Sequence, residues 1–185
     1  MLSIAEKHTC VMFNTVYQNN SYTSSSLNKF KAIYTRESMS AEAVIADGGN
    51  PTVIPDIILT NENILKRNKS SVIQRGHIDH YDGVKTLQRY KPFLDRLEKY
   101  SHVASGSYHG VLVCAMLDIP FSMWPSNTHK MIALAKDMGV KNTHHTDKSS
   151  AINAIPETMA ESIKEYVVDG QNKINGFFDN LTQYV

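Results

Sequence analysis

The segment Val103 to Lys130, VASGSYHGVLVCAMLDIPFSMWPSNTHK, constrains the fold more than any other part of the chain. It reads as strand, turn, helix, strand, turn, helix. Polar residues gather where each strand ends: Ser105, Gly106, Ser107, Tyr108 and His109 after the first, Ser126, Asn127, His129 and Lys130 after the second. Short strands alternating with helices call for a parallel sheet with crossovers on its faces. In open sheets of that kind ligands bind outside the carboxyl ends of the strands. Helix N-termini at those ends offer unpaired N–H groups and a positive dipole end to an anion. The segment is therefore expected to hold something small and negatively charged, a phosphate or a carboxylate.

The same alternation extends along the chain. Thr9 to Val16 reads as a buried strand, Tyr17 to Ser26 as a loop, Leu27 to Phe30 as a helical turn and Ala32 to Tyr34 as a strand. Glu37 to Ala46 reads as a helix stopped by Gly48 and Gly49. Thr52 to Ile54 is the next strand, ended by Pro55 and Asp56, and Ser71 to Gln74 another. Gly83 to Tyr100 carries Val84, Leu87, Tyr90, Phe93, Leu94 and Leu97 at helical spacing, with a kink or break expected at Pro92. Strands at His102–Ala104 and Pro120–Met123 alternate with helices at Tyr108–Leu117 and His129–Met138, the last closed by Gly139. Thr143 to Ser150 reads as a polar loop, and Glu157 to Tyr184 as one long helix or two, weakened at Gly170 and Gly176. The expected fold is α/β: a Rossmann-like parallel sheet with helices on both faces, forming one domain over 1–185 with a C-terminal helical segment over 151–185.

At 185 residues the chain can bury a core without disulfides. Its 19 basic and 18 acidic residues nearly cancel, so neither nucleic acid nor a membrane surface is an expected partner. The one basic concentration, Lys66 to Arg75, reads as a solvated loop. Cys10 and Cys114 sit in apolar runs that suit a reducing compartment and imply no disulfide framework. The N-terminus has no basic stretch followed by an apolar core, and no run is long enough to span a bilayer. A cytoplasmic location is expected.

Four strand ends carry candidate chemistry. Arg36 follows a strand and Glu37 opens a helix. The guanidinium fork suits phosphate or carboxylate, and the alternative is an Arg–Glu pair or a helix cap. Asp56 reads first as a turn cap, and otherwise as a group that orients Arg36 or meets a sugar hydroxyl. His109 lies in the first turn of a helix capped by Ser105 or Ser107, where a neutral imidazole can exchange a proton with a ligand oxygen. Ser126 or Asn127 is expected to cap the next helix, with Lys130 and the exposed N–H groups holding a phosphate. His77, Asp79 and His80 resemble metal ligands by type, but no third ligand is evident and His144–His145 does not complete the set, so no metal is expected. There is no GxGxxG, Walker loop or nucleophile elbow, and no cofactor is expected.

Taken together, these segments resemble the polysaccharide pyruvyl transferase family. The resemblance rests on Phe13 to Asn20, Tyr34-Thr35-Arg36-Glu37-Ser38-Met39-Ser40 with its Arg-acid-x-x-Ser element, and Val53-Ile54-Pro55-Asp56. It continues from Val103 to Gly139, which is similar to the family's Ser-Arg-x-His-Gly motif, its Gly-x-Pro strand and the Ser-Asn-Thr-His-Lys turn. What it implies is the C-terminal half of a GT-B-like fold, whose two Rossmann-like halves flank a cleft. It further implies that Arg36 and His109 face the donor phosphoenolpyruvate, Arg36 gripping an anion and His109 donating a proton or binding phosphate. Glu37, Asp56, Ser105, Ser107, Tyr108, Ser126, Asn127 and Lys130 would line the substrate. Two departures stand out. Ser107 occupies the place of the family's second arginine, and the Gly-rich N-terminal half has no counterpart here, so the expected alternatives are a fragment, a subunit completed by a second polypeptide or a homo-oligomer, and a reduced relative with a changed role. The resemblance thus implies a transferase moving pyruvate from phosphoenolpyruvate, or a sugar from a nucleotide sugar, to a carbohydrate hydroxyl. The alternatives are a non-catalytic phosphate or nucleotide-sugar binding module, and a glycosyltransferase acting on nucleic acid.

Overall fold

The computed structural model describes residues 2–20, 24–67, 75–78, 90–140, 144–154 and 158–184. In chain order the elements are α1 (Leu2–Ala5), β1 (Val11–Thr15), α2 (Ser24–Leu27), β2 (Ala32–Thr35), α3 (Ser38–Ala46), β3 (Pro51–Val53), α4 (Glu62–Leu65), β4 (Arg75–Ile78), α5 (Tyr90–Leu97), β5 (His102–Ser105), α6 (Tyr108–Met116), β6 (Phe121–Met123), α7 (Lys130–Asp137), α8 (Lys148–Asn153) and α9 (Glu161–Asp179). The fold is α/β, with two small parallel sheets among the described residues, ordered β1-β2-β3 and β4-β5-β6. The chain forms two compact units, one of Met1–Ile57 with Gly170–Val185 and one of Ile58–Asp169.

In the first unit all strand pairs are parallel, which requires a crossover after each strand. Met12 and Ile33 pack on one face with Tyr17, Leu27 of α2 and Val44 of α3. Phe13 stacks on Phe177 of α9 at 4.3 Å between ring centres, and Tyr34 meets the same ring edge-on at 4.8 Å. Period-two alternation thus sends successive residues of β1 and β2 to opposite, helix-covered faces. In the second unit β5 is buried along its whole length, and α6 buries Tyr108 and Gly110–Ala115. That is why Val111 to Ala115 reads as a continuous apolar run rather than an amphipathic stripe. Trp124 packs with Ala104 of β5 and Ala151 of α8.

Several sequence expectations hold. Gly48 and Gly139, with φ of 83° and 67°, close α3 and α7. α9 runs unbroken through Gly170 and Gly176 because Ile163, Val167, Ile174 and Phe177 keep one buried stripe across both. Others need correction. The polar run expected as a loop over Thr143–Ser150 enters α8 at Lys148, where Asp147 caps the helix by accepting the Ser150 N–H at 2.8 Å. Likewise α2 begins inside the stretch read as loop. Pro92 lies inside α5, close to its first described residue Tyr90, and the kink or break expected there involves residues 83–89, outside the described residues. The expected strand at 71–74 and the expected helix over 83–89 lie outside the described residues. Among the described residues no helix is long and apolar enough to cross a membrane.

Candidate functional site

Parallel pairing brings the carboxyl ends of β1, β2 and β3 to one edge of the first unit, and with them Arg36 and Asp56. Arg36 Nη1 donates to Asp56 Oδ2 at 2.9 Å. The carboxylate is 3% exposed and the guanidinium side chain 13%, so a buried anion fixes a cation that keeps some access to solvent. Asp56 is accordingly an ion-pair partner of Arg36, the second of the roles read for it. Glu37 is fully buried and is the N-cap of α3. It accepts the Ser40 N–H at 2.9 Å and the Ser40 hydroxyl, while Ser40 Oγ accepts the Tyr17 N–H at 2.8 Å. The acid and serine of the Arg-acid-x-x-Ser element therefore tie the start of α3 to the chain leaving β1, and Arg36 is the member of the motif left at the edge.

The register at that edge is irregular. Met12 pairs with Ile33 and Thr15 with Thr35, so three steps along β1 match two along β2. The extra residue is a bulge, and Asn14 within it has φ of 54°, a left-handed value that asparagine tolerates better than most residues. Asn14 Oδ1 and Thr35 Oγ1 are both buried without a hydrogen-bond partner. Sequence reasoning passed over both, because an Asn and a Thr inside apolar strands look like ordinary strand residues.

In the second unit the carboxyl end of β5 turns into α6. Ser105 Oγ accepts the Ser107 N–H at 3.0 Å, and Ser107 caps α6 by accepting the Gly110 N–H at 3.4 Å. From Ser105 to Gly110 every residue is buried except His109, which is exposed in the first turn of α6. Ser105, Ser107 and Tyr108 therefore shape the turn that presents His109. At the end of β6, Ser126 and Lys130 are half-buried and Asn127 is exposed. The expected cap by Ser126 or Asn127 does not form. α7 starts at Lys130, its N-cap position is His129 with no side-chain cap bond, and Ser126 donates instead to the Thr128 carbonyl at 3.5 Å. Ser126 and Asn127 lie three and two residues before the N-cap position His129, too far upstream to cap the first N–H groups of the helix.

His144 bridges to Met123 beside β6, and the Nε2 atoms of His144 and His145 are buried without hydrogen-bond partners. Burial, and then the neighbouring His145, hold the His144 ring below its ordinary pKa. The folded protein thus binds fewer protons here than the unfolded chain in the window just below the unfolded value of about 6.5. Stability should fall as pH drops through that window. A melting series between about pH 7.5 and 5.5 should show the fall, and His144→Gln should flatten it. A slope that is the same in both proteins would contradict this.

Among the described residues no group of three or more His, Cys, Asp or Glu side chains could hold a metal. Asp79 and His80 lie outside the described residues. The basic stretch is not simply solvated: Lys66 pairs with Glu62, and Arg67, 18% exposed, pairs with Asp95 at 2.8 Å and Glu98 at 2.9 Å. Residues 68–74 lie outside the described set. Both cysteines are free, and burial pushes the Cys114 thiol far up.

No family model matches the chain, and neither a curated protein nor a solved structure does.

Proposed function

We propose that the chain is a transferase similar to the polysaccharide pyruvyl transferases, using the C-terminal half of a GT-B-like fold. It moves pyruvate from phosphoenolpyruvate, or a sugar from a nucleotide sugar, to a carbohydrate hydroxyl. The observation that carries this reading is the Arg36–Asp56 pair at the carboxyl edge of a parallel sheet. A guanidinium held by a buried carboxylate is pre-oriented, so little rotamer entropy is lost when it meets an anion. Arg36 grips the phosphate or carboxylate of the donor. The resemblance gives the proton to His109, exposed in the first turn of α6. In pyruvyl transfer the methylene carbon of phosphoenolpyruvate gains a proton, two acceptor hydroxyl oxygens bond to the neighbouring carbon as its bond to the phosphate oxygen breaks, and the two hydroxyl protons balance the one gained by carbon and the one that leaves with inorganic phosphate. In sugar transfer the acceptor hydroxyl loses its proton as the nucleotide departs.

A second reading, a non-catalytic binding module, is favoured by two observations. Ser107, in the place of the family's arginine, is committed to capping α6, and Asp56 already neutralises Arg36. The loss of one charged contact to the leaving group is worth about 1.5–3 kcal/mol. A nucleic-acid role finds less support, because Arg67 is spent on Asp95 and Glu98 rather than being offered to phosphates.

Incubation with phosphoenolpyruvate or nucleotide sugars and a panel of saccharide acceptors separates the two leading readings. A transferase releases phosphate or nucleotide only when acceptor is present. His109→Ala should cut that release about 100-fold or more while leaving donor binding near the wild-type level. Donor-induced thermal stabilisation without release, in both proteins, would favour the binding module.

A further inference from the structure

The first unit carries an open cleft at the edge of its sheet away from Arg36. Its space of about 560 Å³ is lined by Lys7, Cys10, Lys29, Phe30 and Lys31, and among the described residues that line it Glu6 is the only acid. Cys10 and Lys31 immediately precede β1 and β2, and the Lys31 N–H donates to the Cys10 carbonyl at 2.8 Å. Lys7 leaves α1 in a closed turn, its N–H donating to the Ile4 carbonyl at 3.0 Å. Arg36 follows β2, so the cleft lies at the amino edge of the strands, roughly 16 Å from Arg36 at about 3.3 Å per strand residue.

The charge here is assembled by the fold. Lys7 comes from the segment before β1, and Lys29 and Lys31 from the segment before β2. Three lysines thus stand against one carboxylate in a chain whose total charge nearly cancels. Glu6 pairs with Lys29, and both side chains are well exposed. Among the described residues no carboxylate pairs with Lys7 or Lys31. A cleft lined by one sign of charge concentrates ions of the other sign. An exposed ion pair is weak, so an anion of higher charge takes Lys29 from Glu6. The space falls within the range of small-ligand clefts, about 300–1,000 Å³. Half-buried Phe30 adds an apolar wall of the kind a base stacks on.

We propose that this cleft binds a small polyphosphate, free or carried on a nucleoside, through Lys7, Lys29 and Lys31, with Glu6 as a built-in competitor for Lys29. The site is separate from Arg36 and does not rest on the transferase reading. Pyrophosphate and ADP are the probes, titrated calorimetrically into the wild-type chain, Lys7→Gln, Lys31→Gln, Glu6→Gln and Arg36→Ala. Occupancy of this cleft is read by protection of the Cys10 thiol from N-ethylmaleimide, since Cys114 is fully buried. Each lysine variant should weaken binding about fivefold, Glu6→Gln should tighten it about threefold, and added salt should weaken it in every protein. Arg36→Ala should protect Cys10 as the wild type does. Tighter binding of ADP than of pyrophosphate assigns the nucleoside-borne form, and the reverse order the free form. Failure of both probes to protect Cys10 in the wild type would overturn the proposal. So would wild-type affinity in both lysine variants, or weaker binding to Glu6→Gln. Loss of protection in Arg36→Ala would also overturn it, placing the anion at the other edge and leaving the transferase reading standing.

Discussion

Gly106→Ala should destabilise the protein by about 3 kcal/mol, lowering its melting temperature by roughly 6–12 °C. A Cβ at residue 106 would press on the indole Nε1 of Trp124 and lie 2.5 Å from its Cε2. The indole has little room to retreat. It is 9% exposed, packs with Ala104 and Ala151, and has the Lys148 ammonium 5.9 Å from its ring centre. The strain would therefore fall on the turn between β5 and α6, the turn that presents His109. Gly176→Ala is the internal control. Nothing lies within 4 Å of a Cβ there, the site is in the last turn of α9, and alanine should raise stability by up to about 0.5 kcal/mol. Differential scanning calorimetry of the two variants reads both signs. A Gly106→Ala protein melting with the wild type would mean that Trp124 does not wall the turn.

The second large effect is expected at Asp56. Asp56→Ala leaves the Arg36 guanidinium beside an apolar hole in place of its carboxylate. Breaking one partner of a buried pair costs about 3–5 kcal/mol, and the 13% exposure of Arg36 moves the expectation to the lower end of that range. The cost arises from the stranded charge more than from the lost attraction. Arg36→Met combined with Asp56→Leu should accordingly melt higher than Asp56→Ala alone. The two changes are read by chemical denaturation, with donor binding measured in parallel. A double variant less stable than the single one would mean that the pair is a net stabilising bond. In that case its role in holding the guanidinium would be secondary.

The strand ends were legible because the chemistry that makes a strand end is local. Ser107 after an apolar run and before another is a capping signal whatever surrounds it, and the structure places it at the N-cap of α6. Gly48 and Gly139 stop helices for the same local reason. The partners of the charged groups were not legible. Arg36 and Asp56 lie twenty residues apart, and Arg67 finds Asp95 and Glu98 across a longer stretch. Only the register of parallel strands and the packing of helices decide such meetings. The bulge at Asn14 is invisible for a related reason, since it exists only in the mismatch between two strands. The helix at Lys148–Asn153 was missed because its stability comes from the Asp147 cap and the burial of Ala151, not from periodicity.

The central claim is that the Arg36 guanidinium is a pre-oriented anion grip. Titration calorimetry of phosphoenolpyruvate and of a uridine diphosphate sugar into the wild-type chain, Arg36→Lys and Arg36→Ala tests it most directly. The account predicts binding of at least one donor by the wild type, weakened roughly tenfold or more by Arg36→Ala and not rescued by lysine, which cannot reproduce the planar fork. Equal donor affinity in all three proteins would contradict it.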